Sequence, residues 1–342
     1  ATLGQPMIAA IQGAINTING AGGVLGGDVQ LTIVDEEAGT GLDDLVAAGV
    51  DAIVGPASSL VALSQLEAIV QPGTGLVACS PTASALALDD YPDNKLFFRT
   101  VPSDSLQMAA LAERADATGV DSVAVGYLDD PYGRGLLEAF IAQAATRNFE
   151  LVAQVPFSGA EEDLSIPATD LLAGNPGVVV ARGDADDGGR LLVALDDATD
   201  GDDPPEVIVN DAMRTARQAV QTLSDDFRKR LTGVAPLSRA VVENGPAGAF
   251  SAHAVDCVNL IALAAVEAQS DAPVRIQANM ASVSVGGRVC TTFIDCAEKL
   301  EQGLSIDYNG LSGDVELSNT SGDVVSASFE AFGFNEEGVD QE

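Results

Sequence analysis

Three short polar segments follow apolar, strand-like runs: Val54-Gly55-Pro56-Ala57-Ser58-Ser59, Cys79-Ser80-Pro81-Thr82-Ala83-Ser84 and Asp129-Asp130-Pro131-Tyr132-Gly133-Arg134-Gly135. In an open α/β sheet, small ligands sit outside the carboxyl ends of the strands, so hydroxyl side chains and Gly-Pro turns at those ends line a crevice. The chemistry on offer is hydrogen bonding to a small polar molecule. Charged groups close two later runs: Arg182 and Asp184 at the end of Val178 to Gly183, and Asp211 just after Val207 to Val209.

The segments that must position these groups alternate in type. Strand-like runs are Val29 to Asp35, Ala52 to Gly55, Gly75 to Ser80, Leu96 to Thr100, Ser122 to Leu128, Leu151 to Phe157, Val178 to Gly183 and Val207 to Asp211. Between most of them lie segments with apolar residues at three-and-four spacing: Pro6 to Asn19, Val61 to Ile69, Ser105 to Thr118, Gly135 to Arg147 and Gly188 to Asp197. This is the rhythm of βαβ units and predicts an α/β fold with mainly parallel sheets. A further helix runs from near Ala249 through Val266. Late strands are expected at Val315 to Leu317 and Ser326 to Phe334, joined by a turn at Ser321 to Asp323.

With 342 residues, 46% of them hydrophobic, the chain can bury substantial cores and is long enough for two domains. Its 51 acidic residues against 16 basic ones give a formal charge of −35, which argues against nucleic acid or an anionic membrane surface as a partner. Only Lys95, Lys229 and Lys299 are lysines, so the surface reads as an aspartate-rich, self-repelling shell. That shell suits a saline habitat, or a family that is simply acidic and prefers arginine. No run reaches the roughly 18 apolar residues of a membrane span, and Ala1 to Gln5 lack a charged region followed by an apolar one. A soluble, already processed chain is expected.

Cysteines stand at 79, 257, 290 and 296 with no C-x-x-C pair, and the single histidine, His253, leaves a zinc site short of ligands. Cys290 and Cys296 enclose five residues in a loop-like stretch, so a disulfide between them is favoured and an oxidising compartment would fit.

Enzymatic readings are poorly supported. No lysine follows a glycine as a phosphate-binding loop requires, and no G-x-G-x-x-G opens a helix after a strand. Gly310-Leu311-Ser312-Gly313 lacks the glycine two residues after serine that a nucleophile elbow needs. A Ser-His-Asp triad would have to use His253, which lies in an expected helix. Paired carboxylates such as Asp129-Asp130 and Asp186-Asp187 are too common in so acidic a chain to signal acid-base chemistry.

Several motifs in register carry a resemblance: Ile18-Asn19-Gly20-Ala21-Gly22-Gly23-Val24-Leu25-Gly26-Gly27, Gly49-Val50-Asp51-Ala52-Ile53-Val54-Gly55-Pro56, Ser80-Pro81-Thr82-Ala83-Ser84, Phe98-Arg99-Thr100-Val101-Pro102-Ser103-Asp104, Asp130-Pro131-Tyr132-Gly133-Arg134-Gly135 and Tyr308-Asn309-Gly310-Leu311-Ser312-Gly313. In order and spacing, over most of the chain, they resemble the type 1 periplasmic binding proteins of branched-chain amino-acid ABC transporters. The resemblance implies two Rossmann-like lobes, three crossovers near Val101, Pro236 and Leu311, and a ligand cleft between the lobes. Residues 1–101 and 237–311 would form the N-terminal lobe, and 102–236 and 312–342 the C-terminal one.

The implied function is an extracytoplasmic solute-binding protein that closes on an amino acid or similar ligand and delivers it to an ABC permease. It would need no cofactor, no metal and no catalytic residue. A ligand-sensing module of a receptor or regulator is the alternative, because a shared fold does not fix the output. Ser59, Thr82, Ala83 and Ser84, with Ser58 and Ser80 beside them, fall where such proteins hold the ligand α-carboxylate. The same residues could instead cap helices and turns.

Tyr132 matches an aromatic position that closes over the ligand, and Asp211 the acidic partner of the α-ammonium; a buried tyrosine and a helix cap are the competing readings. Asp184 stands where relatives often present an aromatic residue, which makes leucine-type specificity doubtful. Arg182 is read as forming salt bridges with Asp184 and Asp211, with contact to a ligand anion as the alternative, and Leu3 is a further candidate contact. Relatives begin with a strand before the helix that starts here near Pro6, and their segments corresponding to Asp35 to Asp51 and Ala240 to Ala249 are longer. A longer precursor with a signal peptide or lipid anchor is therefore expected.

The charge generates a direct test. The Debye length falls from about 10 Å at 0.1 M salt to about 3 Å at 1 M, so neutral salt should raise the melting temperature across that range. A flat or falling melting curve would show that the acidic shell does not limit stability.

Overall fold

The computed structural model describes residues 4–36, 38, 41–71, 76–199, 204–237 and 250–341, so Leu3 and the stretch Ala240 to Ala249 lie outside the described residues. Along the chain run α1 (Gly4–Gly20), α2 (Gly41–Ala48), β1 (Ala52–Val54), α3 (Ser59–Ile69), β2 (Val77–Ser80) and β3 (Phe97–Arg99). Next come α4 (Asp104–Ala117), β4 (Ser122–Leu128), α5 (Pro131–Ala144), β5 (Glu150–Phe157), α6 (Ser165–Leu172), β6 (Val178–Ala181), α7 (Asp187–Thr199) and β7 (Glu206–Asn210). The rest is α8 (Arg217–Thr222), α9 (Asp225–Arg230), β8 (Leu231–Pro236), α10 (Ser251–Ala268), α11 (Pro273–Asn279), β9 (Arg288–Cys290), α12 (Phe293–Glu301), β10 (Ile306–Gly310), β11 (Gly313–Asp314), β12 (Phe329–Phe334) and β13 (Asp340–Gln341).

Two compact units result, residues 1–103 with 237–328 and residues 104–236 with 329–342. Residues 312–328, which the resemblance assigned to the second lobe, therefore belong to the first unit. Their contacts explain why: the Leu317 N–H donates to Ser284 Oγ, and Asp323 pairs with Arg99.

In the first unit, β1, β2 and β3 form a parallel sheet in that order, and β9 and β10 pair in parallel with β11 antiparallel to β10. The all-buried pattern of β2 is what a strand covered on both faces requires. Helix α1 buries Met7, Ile11, Ala14, Ile15 and Ile18, the three-and-four spacing of one helical face. Residues 29–35, expected as a strand, join no sheet; Asn19 holds their start by accepting from the Val29 N–H and donating to its carbonyl. The expected strand at Val315 to Leu317 reduces to one bridge between Leu317 and Val324.

Helix α10 is apolar enough to be mistaken for a membrane span, but 14 of its residues are buried in the unit's interior. Two disulfides stitch this unit: the expected Cys290–Cys296, from β9 to α12, and Cys79–Cys257, from β2 to α10, whose pairing the sequence left open. Asp256 of α10 is fully buried and explains the Tyr308 to Gly313 motif. It accepts from the Tyr308 hydroxyl at 2.7 Å, the Leu311 and Ser312 N–H groups at 2.9 and 2.7 Å, and the Ser312 hydroxyl at 2.5 Å. Gly310 is required there, since a Cβ would lie 2.2 Å from the Asp256 carboxylate.

The second unit is one seven-stranded sheet in the order β13-β12-β8-β7-β6-β4-β5, parallel from β5 through β8 and antiparallel at β12 and β13. Central β6, Val178-Val179-Val180-Ala181, is buried throughout, whereas edge strand β5 alternates between exposed and half-buried residues up to its buried last residue, Phe157. The helices close over one core that includes Phe157, Leu171, Leu191, Leu195, Val209 and Phe227.

His253 supplies a pH test. It is buried in α10 with Nδ1 unpartnered, and burial lowers its pKa from 6.5 to about 4. The folded state thus holds it neutral where the unfolded chain would protonate it, so its contribution to stability is lost as pH falls from about 6.5 to about 4. Over that window the wild type should lose about 3 kcal/mol more than His253→Gln. Urea unfolding of both proteins at several pH values measures the difference, and parallel pH profiles would contradict it.

Candidate functional site

The first unit gathers the hydroxyl residues after β1 and β2, and most of them are already engaged. Ser58 is the N-cap of α3 and accepts from the Val61 N–H. The Ser80 hydroxyl donates to the Pro56 carbonyl at 2.6 Å and accepts from the Ala83 N–H at 2.9 Å. Thr82 donates to the Ala57 carbonyl at 2.6 Å. These bonds bind the two turns to each other, as the capping reading anticipated for Ser58, Ser80 and Thr82.

Ser59 Oγ accepts from the Ala85 N–H and keeps its proton free, and the half-buried Ser84 hydroxyl makes no hydrogen bond among the described residues. Of the hydroxyls expected to meet a ligand, those two keep an unengaged proton. Glu36, which the sequence did not single out, sends its carboxylate to the N–H groups of Ala57 at 2.6 Å and Ser58 at 2.9 Å. An anion just ahead of a helix N-terminus is favoured there by free N–H groups and the helix dipole.

Arg99, at the end of β3, holds this region together. It is fully buried and bonds Asp323 through Nε and Asp89 through Nη2, each at 2.6 Å, while Nη1 donates to the carbonyls of Ala83 and Ala85. Ser103 donates to both Asp89 oxygens. Burial alone would weaken the guanidinium charge, but the two carboxylates overcome that and hold its pKa above the ordinary arginine value.

In the second unit the sheet order reverses direction between β4 and β6, because β5 lies on one side of that pair and β7 and β8 on the other. The carboxyl ends of two such strands open a crevice suited to ligands. Tyr132, Arg182 and Asp211 all follow strand ends here, after β4, β6 and β7. Asp130 caps α5 by accepting from the Gly133 N–H, and Gly133 lets that first turn sit on β4, since a Cβ would lie 2.1 Å from the Leu128 carbonyl oxygen.

This places Tyr132 with its residue 45% exposed and its hydroxyl donating to Asp104 Oδ2 at 2.7 Å. Desolvation, then the Asp104 charge, push the tyrosine pKa far up, so the hydroxyl stays protonated. Asp211 Oδ1 accepts from Gln107 Nε2 at 2.7 Å and from the Ala212 N–H at 2.9 Å, and Oδ2 has no partner among the described residues. Burial pushes the Asp211 pKa up; the Gln107 and Ala212 bonds and the Arg182 charge pull it back.

Asp184 is a turn residue, accepting from the N–H groups of Asp186 and Asp187 ahead of α7. Arg182 makes no salt bridge to Asp184 or Asp211, contrary to the sequence reading: Asp184 is exposed and bound to its own turn, and Asp211 to Gln107. Asp104 and Gln107, on the first turn of α4, were not foreseen as site groups. Their only sequence signal is a polar pair at three-residue spacing on an otherwise apolar buried face. A separate cavity of about 240 Å³ in the first unit, lined by Lys95, Phe98, Gln277, Ala281, Ser318 and Asn319, includes none of the expected site residues.

The family described as periplasmic binding protein matches residues 1–285. The chain is 27% identical over 327 residues to the chemotactic signal transduction system substrate-binding protein BasB of Halobacterium salinarum, covering 90% of this chain and 78% of BasB. A similar solved structure is an ABC transporter substrate-binding protein from Desulfitobacterium hafniense in complex with Leu, with a TM-score of 0.76 at 20% identity, covering 99% of this chain and 96% of that one. Another is the branched-chain amino acid transporter substrate-binding protein LivJ from Streptococcus pneumoniae in complex with isoleucine, with a TM-score of 0.72 at 18% identity, covering 100% and 94% of the two chains. At these identities the solved structures establish the type 1 periplasmic binding fold.

Arg99 yields a measurable expectation. Arg99→Met leaves Asp323 and Asp89 without their cation and should lower unfolding free energy by about 3 kcal/mol in urea titrations near neutral pH. A loss below about 1 kcal/mol would mean that the two carboxylates find other partners.

Proposed function

The chain belongs to the periplasmic binding protein family, and from that premise we propose that it binds an amino acid or a closely related zwitterion for an ABC importer. Family membership places its work outside the cytoplasm. The observation that carries the reading is Asp211: a half-buried carboxylate held in place by Gln107, with Oδ2 unengaged and the Tyr132 ring beside the same sheet edge. Such a carboxylate suits an ammonium group, because a desolvated cation requires a charged, hydrogen-bonded partner. An amino acid carries that ammonium, and in the first unit Ser59 and Ser84 keep donors of the kind an anion accepts from.

The name of the Halobacterium relative favours a second reading, in which the bound solute is reported to a chemotaxis receptor rather than handed to a permease. The ligand chemistry is the same in both. Co-purification with a permease or with a signal transducer from native membranes separates them.

The binding test is direct. A thermal-shift screen of amino acids finds the best ligand, since saturation at a hundred times the dissociation constant raises stability by roughly 2.7 kcal/mol. Calorimetric titration of wild type and Asp211→Ala with that ligand should show a loss of about 30-fold to several-thousand-fold in affinity. Folding should survive, because Asp211 opens a short 3-10 turn after β7 and lies outside the hydrophobic core. Equal affinities would make Asp211 a turn-capping residue and remove the main support for an amino-acid ligand.

A further inference from the structure

Three arginines of the second unit, Arg114, Arg147 and Arg182, have a buried Nε without a partner, and of these Arg182 is the one that is buried as a whole residue and stands at a strand end. It follows β6 directly, and its N–H donates to the Gly126 carbonyl of the neighbouring strand, so its backbone is fixed at the point where the sheet order reverses. The residue is 6% exposed, and Nε is buried with no hydrogen-bond partner. Its guanidinium forms no ion pair among the described residues. Leaving a cation buried without a carboxylate is costly. Arg99, fully buried, contrasts with it: its Nε, Nη1 and Nη2 all donate.

The acidic groups nearby are occupied in ways that do not involve Arg182: Asp104 by Tyr132, Asp211 by Gln107 and Ala212, and Asp184 by the turn into α7. Arg182 is still close enough for its charge to act on both Asp211 and Tyr132. A cation, a carboxylate with one free oxygen and an aromatic ring therefore share one sheet edge within a single unit. Guanidinium is the side chain best matched to a planar carboxylate, which it can grip through two parallel N–H bonds.

Resting on the amino-acid reading above, we propose that Arg182 binds a second carboxylate of the ligand, so that the preferred solutes are acidic amino acids and the corresponding short dicarboxylates. The α-ammonium falls to Asp211 and the side-chain carboxylate to Arg182. Neutral aliphatic amino acids would leave the guanidinium desolvated and unpaired, a penalty that selects against them.

Calorimetric titration of the whole chain with L-glutamate, L-aspartate, L-glutamine, L-leucine and glutarate tests this. The expected result is that glutamate or aspartate binds at least about 30-fold more tightly than glutamine or leucine, and that Arg182→Gln removes this preference while Arg182→Lys keeps part of it. Glutamine or leucine binding as tightly as glutamate, with Arg182→Gln weakening all of them equally, would overturn the proposal and leave the amino-acid reading intact. Glutarate binding as tightly as L-glutamate, both lost in Arg182→Gln, with L-glutamate affinity unchanged by Asp211→Ala, would support the second-carboxylate site while removing the amino-acid reading. Unchanged selectivity in an Arg182→Gln protein with a wild-type melting temperature would overturn the proposal outright.

Discussion

The fully buried guanidinium of Arg99 takes its counter-charges from inside the protein, and in the first unit that pairing organises the ends of β2 and β3. Arg99 gathers Asp89 from the turn before β3, Asp323 from a segment more than two hundred residues later, and the carbonyls of Ala83 and Ala85 from the very turn that carries Thr82 and Ser84. The turn is therefore shaped by a charge it does not itself contain. This explains why 312–328 packs in the first unit: without Asp323 the guanidinium would keep only one of its two carboxylates.

The α/β architecture was legible because buried parallel strands announce themselves. Val178-Val179-Val180-Ala181 and Ser122 to Leu128 are continuous apolar runs followed by helix-period segments, and each became a strand with only its ends adjusted. Residues 29–35 show the limit of that signal. Their apolar residues alternate as in a strand, but a strand exists only when a neighbour accepts its backbone bonds, and the bonds recorded at their start go to the Asn19 side chain. The Cys79–Cys257 bond was out of reach for a similar reason, since nothing local relates two cysteines 178 residues apart.

The site divided in the same way. Tyr132, Arg182 and Asp211, the groups of the proposed site, were singled out because they stand at strand ends, and position at a strand end is a sequence property. What they touch is not. Asp104 and Gln107 reach Tyr132 and Asp211 from α4, an element that reads simply as an amphipathic helix, and Glu36 reaches the Ala57 and Ser58 N–H groups from an irregular loop. Hydroxyl residues were read too generously: a serine or threonine after a strand offers one proton, and in Ser80 and Thr82 that proton goes to a backbone carbonyl. Arg182 went the opposite way. In so acidic a chain a salt bridge was the natural expectation, yet the nearby carboxylates had nearer donors.

The Cys79–Cys257 bond has a topological consequence. It joins two stretches of the first unit that lie on either side of the second unit in the chain, so residues 79 to 257 form a covalent ring that contains all of 104–236. A protease that cuts once anywhere in that ring opens it without releasing a fragment, and the two pieces travel together until a reductant arrives. Outside the cytoplasm, where peptidases are abundant and disulfides persist, a nicked molecule would keep both halves of its first unit tethered at their native separation.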